Sequence, residues 1–235
     1  CLDAVGAKLL FENQPSIILK PKLVNASRFP VTTSVEFCRA VIEYIRQSCE
    51  ADIIIAEGCG DADNETHEIF EYLGYSKLAA EYGIELIDLN HETLVKKKNP
   101  KNKLFPEMLL PEMIFEHFLF SLPVLKAHSL ARVTGTLKNM MGIAPPKYYS
   151  GGGFWKKAVF HQNMQESIVE LNRYRTPDLT LMDASVGLAD YHLGGATCDP
   201  PVCRLIISND PQKVDRRSAQ LLRFDPDSIY HLNHS

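Results

Sequence analysis

Short apolar runs that alternate with helix-length amphipathic segments constrain this chain more than any other feature of its sequence. The run Ser16–Lys20 ends at Pro21, and Ala51–Ala56 is a second run of the same kind. Between them, apolar residues recur at helical spacing from Ser34 to Cys49, and Ser34 stands where an N-cap belongs. A strand, a helix and a strand of these lengths predict a parallel βαβ unit with a right-handed crossover.

The alternation continues along the chain. Further helices are predicted at Thr66–Leu73, Ser76–Tyr82, Phe160–Tyr174 and Gln212–Leu222, and further strands at Glu85–Leu89, Ile114–Leu122, Leu179–Asp183 and Arg204–Ser208. The lysine-rich segment Val95–Lys103 indicates an exposed loop or hairpin, and residues 144–155 and 187–201 are predicted loops. We therefore predict an α/β fold, with residues 1–235 forming a single domain and a largely parallel sheet covered by helices on both faces.

Charge and composition argue against two classes of partner. A net charge of -4 is atypical of a nucleic-acid-binding protein, which needs a dominant basic surface. No apolar run approaches the roughly 20 residues that cross a bilayer, so no membrane partner is expected. The six cysteines are scattered, which favours free thiols in a reducing compartment and hence a cytoplasmic location. Because the chain opens at Cys1 without a Met, we expect a processed or truncated N-terminus.

Polar residues concentrate in one segment, Lys126–Gly142. Lys126 and His128 alternate, so in an extended segment their side chains share one face. Thr134 or Thr136 is predicted to cap a helix that carries Lys138 and Asn139 in its first turn, where backbone N–H groups favour an anion.

These residues predict a site for a small anionic ligand, either a carboxylate or a phosphate. His128 could act there as an acid, a base or a metal ligand, so a metal-ion cofactor stays open. Cys198, Cys203 and the nearby His192 are a second, weaker metal candidate. Each residue taken alone is more often a solvated charge or a structural contact, and the sequence leaves open whether the chain is an enzyme. The candidate catalytic residues are His128, Lys138 and His161, and the candidate ligand-binding residues are Lys20, Lys126, Thr134, Thr136, Asn139 and Asp183.

Several motifs occur in a fixed order along the chain. They are Leu19-Lys-Pro-Lys-Leu-Val24, Ala56-Glu-Gly58, Leu73-Gly-Tyr75, Lys126-Ala-His128, Val133-Thr-Gly-Thr-Leu-Lys-Asn139 with Gly142, His161, Pro177-Asp-Leu with Asp183, Gly194-Gly195 with Thr197-Cys-Asp-Pro-Pro-Val202, and Asp210-Pro with Val214-Asp215. In these motifs the sequence resembles the family catalogued as domain of unknown function 362, from about Ser16 to His231. The chain departs from the family pattern at Lys22, Ala127 and Ala196, where Asn, Thr and Pro are usual.

The resemblance implies a functional site at these motifs and an association with redox proteins, and it does not imply a particular reaction. Members of the family are often fused to ferredoxin-like iron–sulfur segments. An alternative function follows, in which the chain is a non-catalytic accessory or scaffold domain for an iron–sulfur or redox protein. The layout is also similar to that of nickel-dependent lactate racemases, which place Lys and His residues on glycine-flanked loops around an anionic substrate and a cofactor. The oligomeric state stays open.

Overall fold

Ten strands and nine α-helices are present in a computed structural model that describes all residues from 1 to 235. Short 3-10 turns lie at Asp3–Val5, Glu112–Phe115, Met140–Ile143, Ala158–His161 and Pro226–Ser228. The helices are α1 (Ala7–Phe11), α2 (Val35–Ser48), α3 (Thr66–Leu73), α4 (Tyr75–Tyr82), α5 (Thr136–Asn139), α6 (Pro146–Tyr149), α7 (Met164–Asn172), α8 (Pro211–Leu221) and α9 (His231–His234). The strands are β1 (Ser16–Pro21), β2 (Asp52–Glu57), β3 (Glu85–Asp88), β4 (Leu94–Lys98), β5 (Glu107–Pro111), β6 (Phe118–Leu122), β7 (Val124–His128), β8 (Arg132–Thr134), β9 (Leu179–Leu188) and β10 (Arg204–Ser208).

Eight strands form one sheet in the order β3-β2-β1-β6-β9-β7-β8, with β10 paired to β9. The pairs within β3-β2-β1-β6-β9 and the pair β7–β9 are parallel, whereas β8 and β10 are antiparallel to their neighbours. Ser121 of β6 pairs with Thr180 of β9, and Val124 of β7 pairs with Asp183 of the same strand. Thus β6 and β7 lie along one edge of β9 on either side of Pro123. The prediction of a largely parallel sheet is confirmed.

Two apolar layers cover the two faces of this sheet. Ile17 and Leu19 of β1 pack with α1, α2, α3 and α4, whereas Ile18 between them packs with α5, α7 and α8 on the opposite face. This division follows from the alternation of side chains along a strand. The prediction of helices on both faces is therefore confirmed.

The structure differs from the predicted elements mainly in the middle of the chain. The predicted strand Ile114–Leu122 begins only at Phe118, because Glu112–Phe115 forms a 3-10 turn. The lysine-rich segment, predicted as a loop or hairpin, does form part of a separate two-stranded hairpin: residues 95–98 lie in β4, and residues 99–103 belong to the connection to β5. The predicted helix Phe160–Tyr174 is divided into a 3-10 turn that ends at His161 and a helix that begins at Met164. None of the helices combines the length and the apolar character that crossing a bilayer would require.

Candidate functional site

A cavity of about 240 Å³ opens where β1, β2 and β7 end. Parallel α/β sheets bind ligands at this edge, beyond the carboxyl ends of their strands. We call it the basic cavity, because Glu57 is the only acidic residue in its wall. The basic and imidazole side chains that line it are Lys22, His128, Lys138, Lys157, His161 and His192.

The carboxylate of Glu57 is already neutralised within the protein. Its Oε1 atom lies 2.8 Å from the Nζ atom of Lys20, and both side chains are almost completely buried. Oε1 also accepts a hydrogen bond from the backbone N–H of Gly58 at 2.9 Å, and Oε2 accepts one from that of Leu23 at 3.3 Å. Because Glu57 is ion-paired with Lys20, none of the other basic side chains of the cavity has a carboxylate as a direct partner.

Lys157 connects two glycine backbones across the wall of the cavity. Its amine donates to the carbonyl oxygens of Gly58 and Gly142, both at 2.7 Å. Burial lowers the pKa of Lys157 to about 7, although Glu57 partly offsets this effect. Close packing also explains Gly58, since a Cβ there would lie 2.3 Å from the carbonyl oxygen of Gly142 and 3.0 Å from the Lys157 amine.

Lys22 and Lys138 differ from the other cavity lysines because no hydrogen bond or ion pair satisfies their amines. Lys138 is only 8% exposed, so its amine is shielded from bulk solvent yet lines the cavity. Burial lowers the pKa of Lys138 well below its usual value, and the neighbouring Lys22 adds to the shift. Burial likewise lowers the pKa of Lys22 to about 8. Two unpartnered amines, that of buried Lys138 and that of half-buried Lys22, therefore line the same cavity.

His128 is held in one tautomer by its own loop. Its Nδ1 atom accepts hydrogen bonds from the backbone N–H groups of Leu130 at 3.1 Å and Ala131 at 3.2 Å. A nitrogen that accepts from two N–H groups carries no proton, so the proton of the neutral ring is on Nε2. Burial lowers the pKa of His128 far below its usual value, with smaller contributions from Lys138 and His192. His128 is therefore a neutral N–H donor at the edge of the cavity.

His161, His192 and Thr134 contribute polar atoms that are not satisfied by the protein. The Nδ1 atoms of both histidines and the hydroxyl of Thr134 are buried without a hydrogen-bond partner, and all three residues line the cavity. The ring of His192 stacks on that of His128 with 3.9 Å between centroids. Burial, aided by Lys138, lowers the pKa of His161, so this imidazole is neutral near pH 7. Buried polar groups without partners are uncommon and indicate a place where a ligand can bind.

The prediction that Thr134 or Thr136 caps the helix carrying Lys138 was wrong. Gly135 is in the N-cap position, and no side chain of α5 itself caps the helix. Instead, the buried carboxylate of Asp215 in α8 accepts hydrogen bonds from the backbone N–H groups of Thr136 at 2.6 Å and Leu137 at 2.9 Å. The start of α5 is therefore occupied by a carboxylate of the protein, and an anion would be bound by side chains of the cavity.

The structure brings together some of the sequence-predicted residues and separates others. His128, Lys138, His161 and Thr134 line the cavity, as described above. Lys126 is fully buried behind the wall, where its amine donates to the carbonyl oxygens of Val31 at 2.5 Å and His192 at 3.1 Å. The other predicted ligand-binding residues also lie outside the lining, namely Lys20 against Glu57, Thr136 and Asn139 in buried α5, and Asp183, whose carboxylate accepts hydrogen bonds from Ser185.

The sequence-predicted site residues do not include Lys22, Glu57 and Lys157, which all line the cavity. Glu57 and Lys22 stand at predicted strand ends, which was a usable signal. Lys157 follows the glycine-rich loop in an ordinary Trp-Lys-Lys run, and nothing in that pattern distinguishes it from the exposed lysines elsewhere.

His128 has no free lone pair for a metal ion in its neutral form, because Nδ1 accepts two hydrogen bonds and Nε2 carries the proton. The stacked rings of His128 and His192 are nearly parallel, at 25°. Elsewhere, Glu65, Asp88 and His91 place one ligand atom each within 4.8 Å of one another and could hold a metal ion. Glu65 is also ion-paired with Lys156 at 2.8 Å. Cys198 and Cys203 are both free thiols, the second of them exposed.

Comparison with solved structures supports the architecture described above. The chain is similar to the lactate racemase apoprotein from Thermoanaerobacterium thermosaccharolyticum, with 15% sequence identity and a TM-score of 0.50. The similarity covers 76% of this chain and 45% of the racemase, so the chain spans less than half of that protein's length. At this identity the likeness shows a shared α/β fold and carries no activity with it. No curated protein matches the sequence.

Comparison with protein families is more direct. The profile of the family described as Domain of unknown function (DUF362) matches residues 17–220, which includes every residue that lines the basic cavity. This match confirms the resemblance inferred from the motifs around Lys126–His128 and Val133–Asn139. The chain belongs to the DUF362 family.

Proposed function

We propose that this protein is an enzyme that binds a small anion, a carboxylate or a phosphate, in the basic cavity. The single observation that carries the proposal is the pair of unpartnered amines, Lys22 and Lys138, in a cavity whose only carboxylate is already paired. A protonated amine without a counterion is unfavourable at such a site, and an anionic ligand would supply the missing charge and favour protonation. The unsatisfied hydroxyl of Thr134 provides a further hydrogen-bonding group for the ligand.

The two neutral imidazoles suggest how the bound molecule is transformed. His128 donates from Nε2 and is placed to hydrogen-bond an oxygen on which negative charge develops. His161 is neutral and has an unpartnered Nδ1 atom, so it can accept a proton. An N–H donor and a base beside one anion site are the groups that proton transfer next to a carboxylate or phosphate requires.

Titration of the purified protein tests the proposal. Trp155 is the only tryptophan and lines the cavity, so its fluorescence reports binding of phosphate or acetate without a label. We expect Lys22→Met and Lys138→Met each to weaken binding about tenfold or more, because a hydrogen bond to a charged group contributes about 1.5–3 kcal/mol. Lys77→Met on the exposed surface of α4 is the matched control and should bind like the wild type.

The alternative function is that of an accessory domain for an iron–sulfur or redox protein. It predicts that anion affinity does not depend on Lys22 or Lys138. Absence of any anion affinity, or affinity equal in wild type and both cavity variants, would contradict the proposal. Recovery of a stable redox partner from native extract by a protein that binds no anion would favour the accessory function.

A further inference from the structure

Lys138 is set apart from the other buried lysines around the site by what its amine contacts. Lys20 is paired with Glu57, Lys126 donates to two carbonyl oxygens, and Lys157 donates to two others. Those three amines are tied into the protein and hold its segments together. The amine of Lys138 makes no such bond, is shielded from bulk solvent and lines the cavity. It is therefore available to react.

Its surroundings favour the nucleophilic form of an amine. No carboxylate faces it, and its charged neighbour is Lys22, a second cation. A lysine that is desolvated beside another cation loses its proton readily and becomes a nucleophile toward carbonyl carbon. Lys22, whose pKa is about 8, keeps most of its charge near pH 7 and can hold an anion, while the unpartnered amine of Lys138 lines the same cavity and can act on a carbonyl carbon.

We propose that Lys138 forms a covalent imine with the carbonyl carbon of a small 2-oxo acid, whose carboxylate is bound by Lys22. This inference deepens the proposed function and rests on it, since it names the class of carboxylate that the basic cavity accepts. Lys22 and Lys138 line the same cavity, and Lys22 is the charged neighbour of Lys138. This arrangement suits a 2-oxo acid, whose carboxylate and carbonyl are on neighbouring carbons.

The chemistry balances with the groups at hand. The lone pair of the Lys138 Nζ atom attacks the carbonyl carbon, and the C=O π electrons move to the oxygen, which accepts a hydrogen bond from Nε2–H of His128. His161 takes one proton from the nitrogen and gives it to this oxygen, which completes the carbinolamine. The nitrogen lone pair then forms the C=N bond as the C–O bond breaks, and His161 transfers the second proton of the nitrogen to the departing hydroxyl, so that water and a neutral imine are formed and both histidines return to their starting state. No oxidant or reductant is consumed.

Trapping by borohydride tests this step directly. The full chain is incubated with pyruvate and sodium cyanoborohydride, and adducts are located by mass spectrometry of the intact protein and of its peptides. We expect one reduced pyruvate adduct per chain, on Lys138, with none on Lys138→Arg. Lys22→Met should lower the yield about tenfold or more at limiting pyruvate, because it removes the contact with the carboxylate. Acetone, which has a carbonyl and no carboxylate, should label the wild type as poorly as pyruvate labels Lys22→Met.

The outcomes separate this inference from the proposed function. Thermal unfolding of each variant establishes that it is folded, and Lys77→Met serves as the labelling control. Anion binding that depends on Lys22 and Lys138, without any trapped adduct, overturns the imine and leaves the anion site standing. Labelling spread over surface lysines, or centred on Lys157, also overturns it. Lack of binding by phosphate, acetate and pyruvate alike overturns both proposals.

Discussion

Gly142 shows how much the wall of the basic cavity depends on one missing side chain. A Cβ atom at this position would overlap Oε1 of Glu57 and come within 2.5 Å of the Lys20 amine. These are the two atoms of the buried ion pair, and neither can move away without losing the other. Glycine is therefore required here by close approach, because a Cβ would displace the pair.

We expect Gly142→Ala to lower the free energy of unfolding by about 1–3 kcal/mol, the usual cost of overpacking a buried site. Chemical denaturation measures this change. Gly60→Ala is the matched control, since Gly60 lines the same cavity and a Cβ there meets nothing within 4 Å. Equal stabilities of the two variants would contradict the argument from close approach.

The Lys20–Glu57 pair itself is open to a double-mutant cycle. Removing one partner of a buried pair leaves an uncompensated charge, so Lys20→Met and Glu57→Gln should each cost about 3–5 kcal/mol. The double variant buries no charge, and we expect it to be less destabilised than the sum of the two. Denaturant unfolding of all four proteins gives the coupling energy.

A second cycle on the exposed pair Arg39–Glu81 provides the comparison, because surface pairs contribute about 0–1 kcal/mol. Similar coupling energies for the two pairs would show that burial of the Lys20–Glu57 pair has no energetic consequence.

At the scale of elements, α5 is a very short helix whose position depends on a neighbouring helix. The carboxylate of Asp215 in α8 receives the first two N–H groups of α5, and a Cβ at Gly135 would clash with that carboxylate. Lys138 lies within the same single turn, so its amine is positioned from outside its own segment.

We expect Asp215→Asn to destabilise the protein by about 1–3 kcal/mol and to weaken anion binding. An amide offers one acceptor where two N–H donors point, so one buried donor loses its partner. Denaturation and Trp155 fluorescence titration measure the two effects. Asp210→Asn, at the N-cap of α8, is the control, because Asn caps a helix about as well as Asp. A variant of Asp215 that binds anion normally would show that α5 is positioned by packing alone.

The sequence predicted those elements that local patterns specify. The N-cap at Ser34, the first βαβ unit and helix α3 were predicted from the spacing of apolar residues and from the capping, proline and glycine residues at the ends of the elements. The structure contains all three. The clustering of polar residues in Lys126–Gly142 indicated that His128 and Lys138 lie near one site, and both line the basic cavity together with His161. By contrast, the burial of Lys126 and the contacts of Lys157 are set by chain segments 95 and 99 residues away, to Val31 and Gly58. No local pattern carries that information.

For the whole molecule, the concentration of buried lysines predicts how stability varies with pH. In the native protein the pKa is about 8 for Lys22 and about 7 for Lys157, against 10.5 as the ordinary value. At a pH between the native and the ordinary pKa of these lysines, the amines are protonated in the unfolded chain and mostly neutral in the native protein. The free energy of unfolding therefore increases as pH rises from about 7 to about 10. Below pH 7 their unfavourable contribution is constant.

Unfolding in a buffer of non-binding ions across this range measures the slope, and Lys157→Met should flatten it. Phosphate should also flatten it, since a bound anion favours the protonated amines and raises their pKa. Wild type and Lys157→Met with the same slope would contradict the assignment to Lys157.

The lysines of the basic cavity are contributed by segments that lie far apart along the chain, and this spacing has a consequence for how the protein assembles. Lys22, Lys138 and Lys157 line one cavity only when β1, α5 and the loop after α6 have docked, and contacts between segments so far apart in sequence form slowly. Where these amines are protonated, their approach is opposed by repulsion that a bound anion would offset. We expect multivalent anions to reduce the repulsion between these lysines during folding, so that the protein refolds faster in phosphate than in chloride at equal ionic strength.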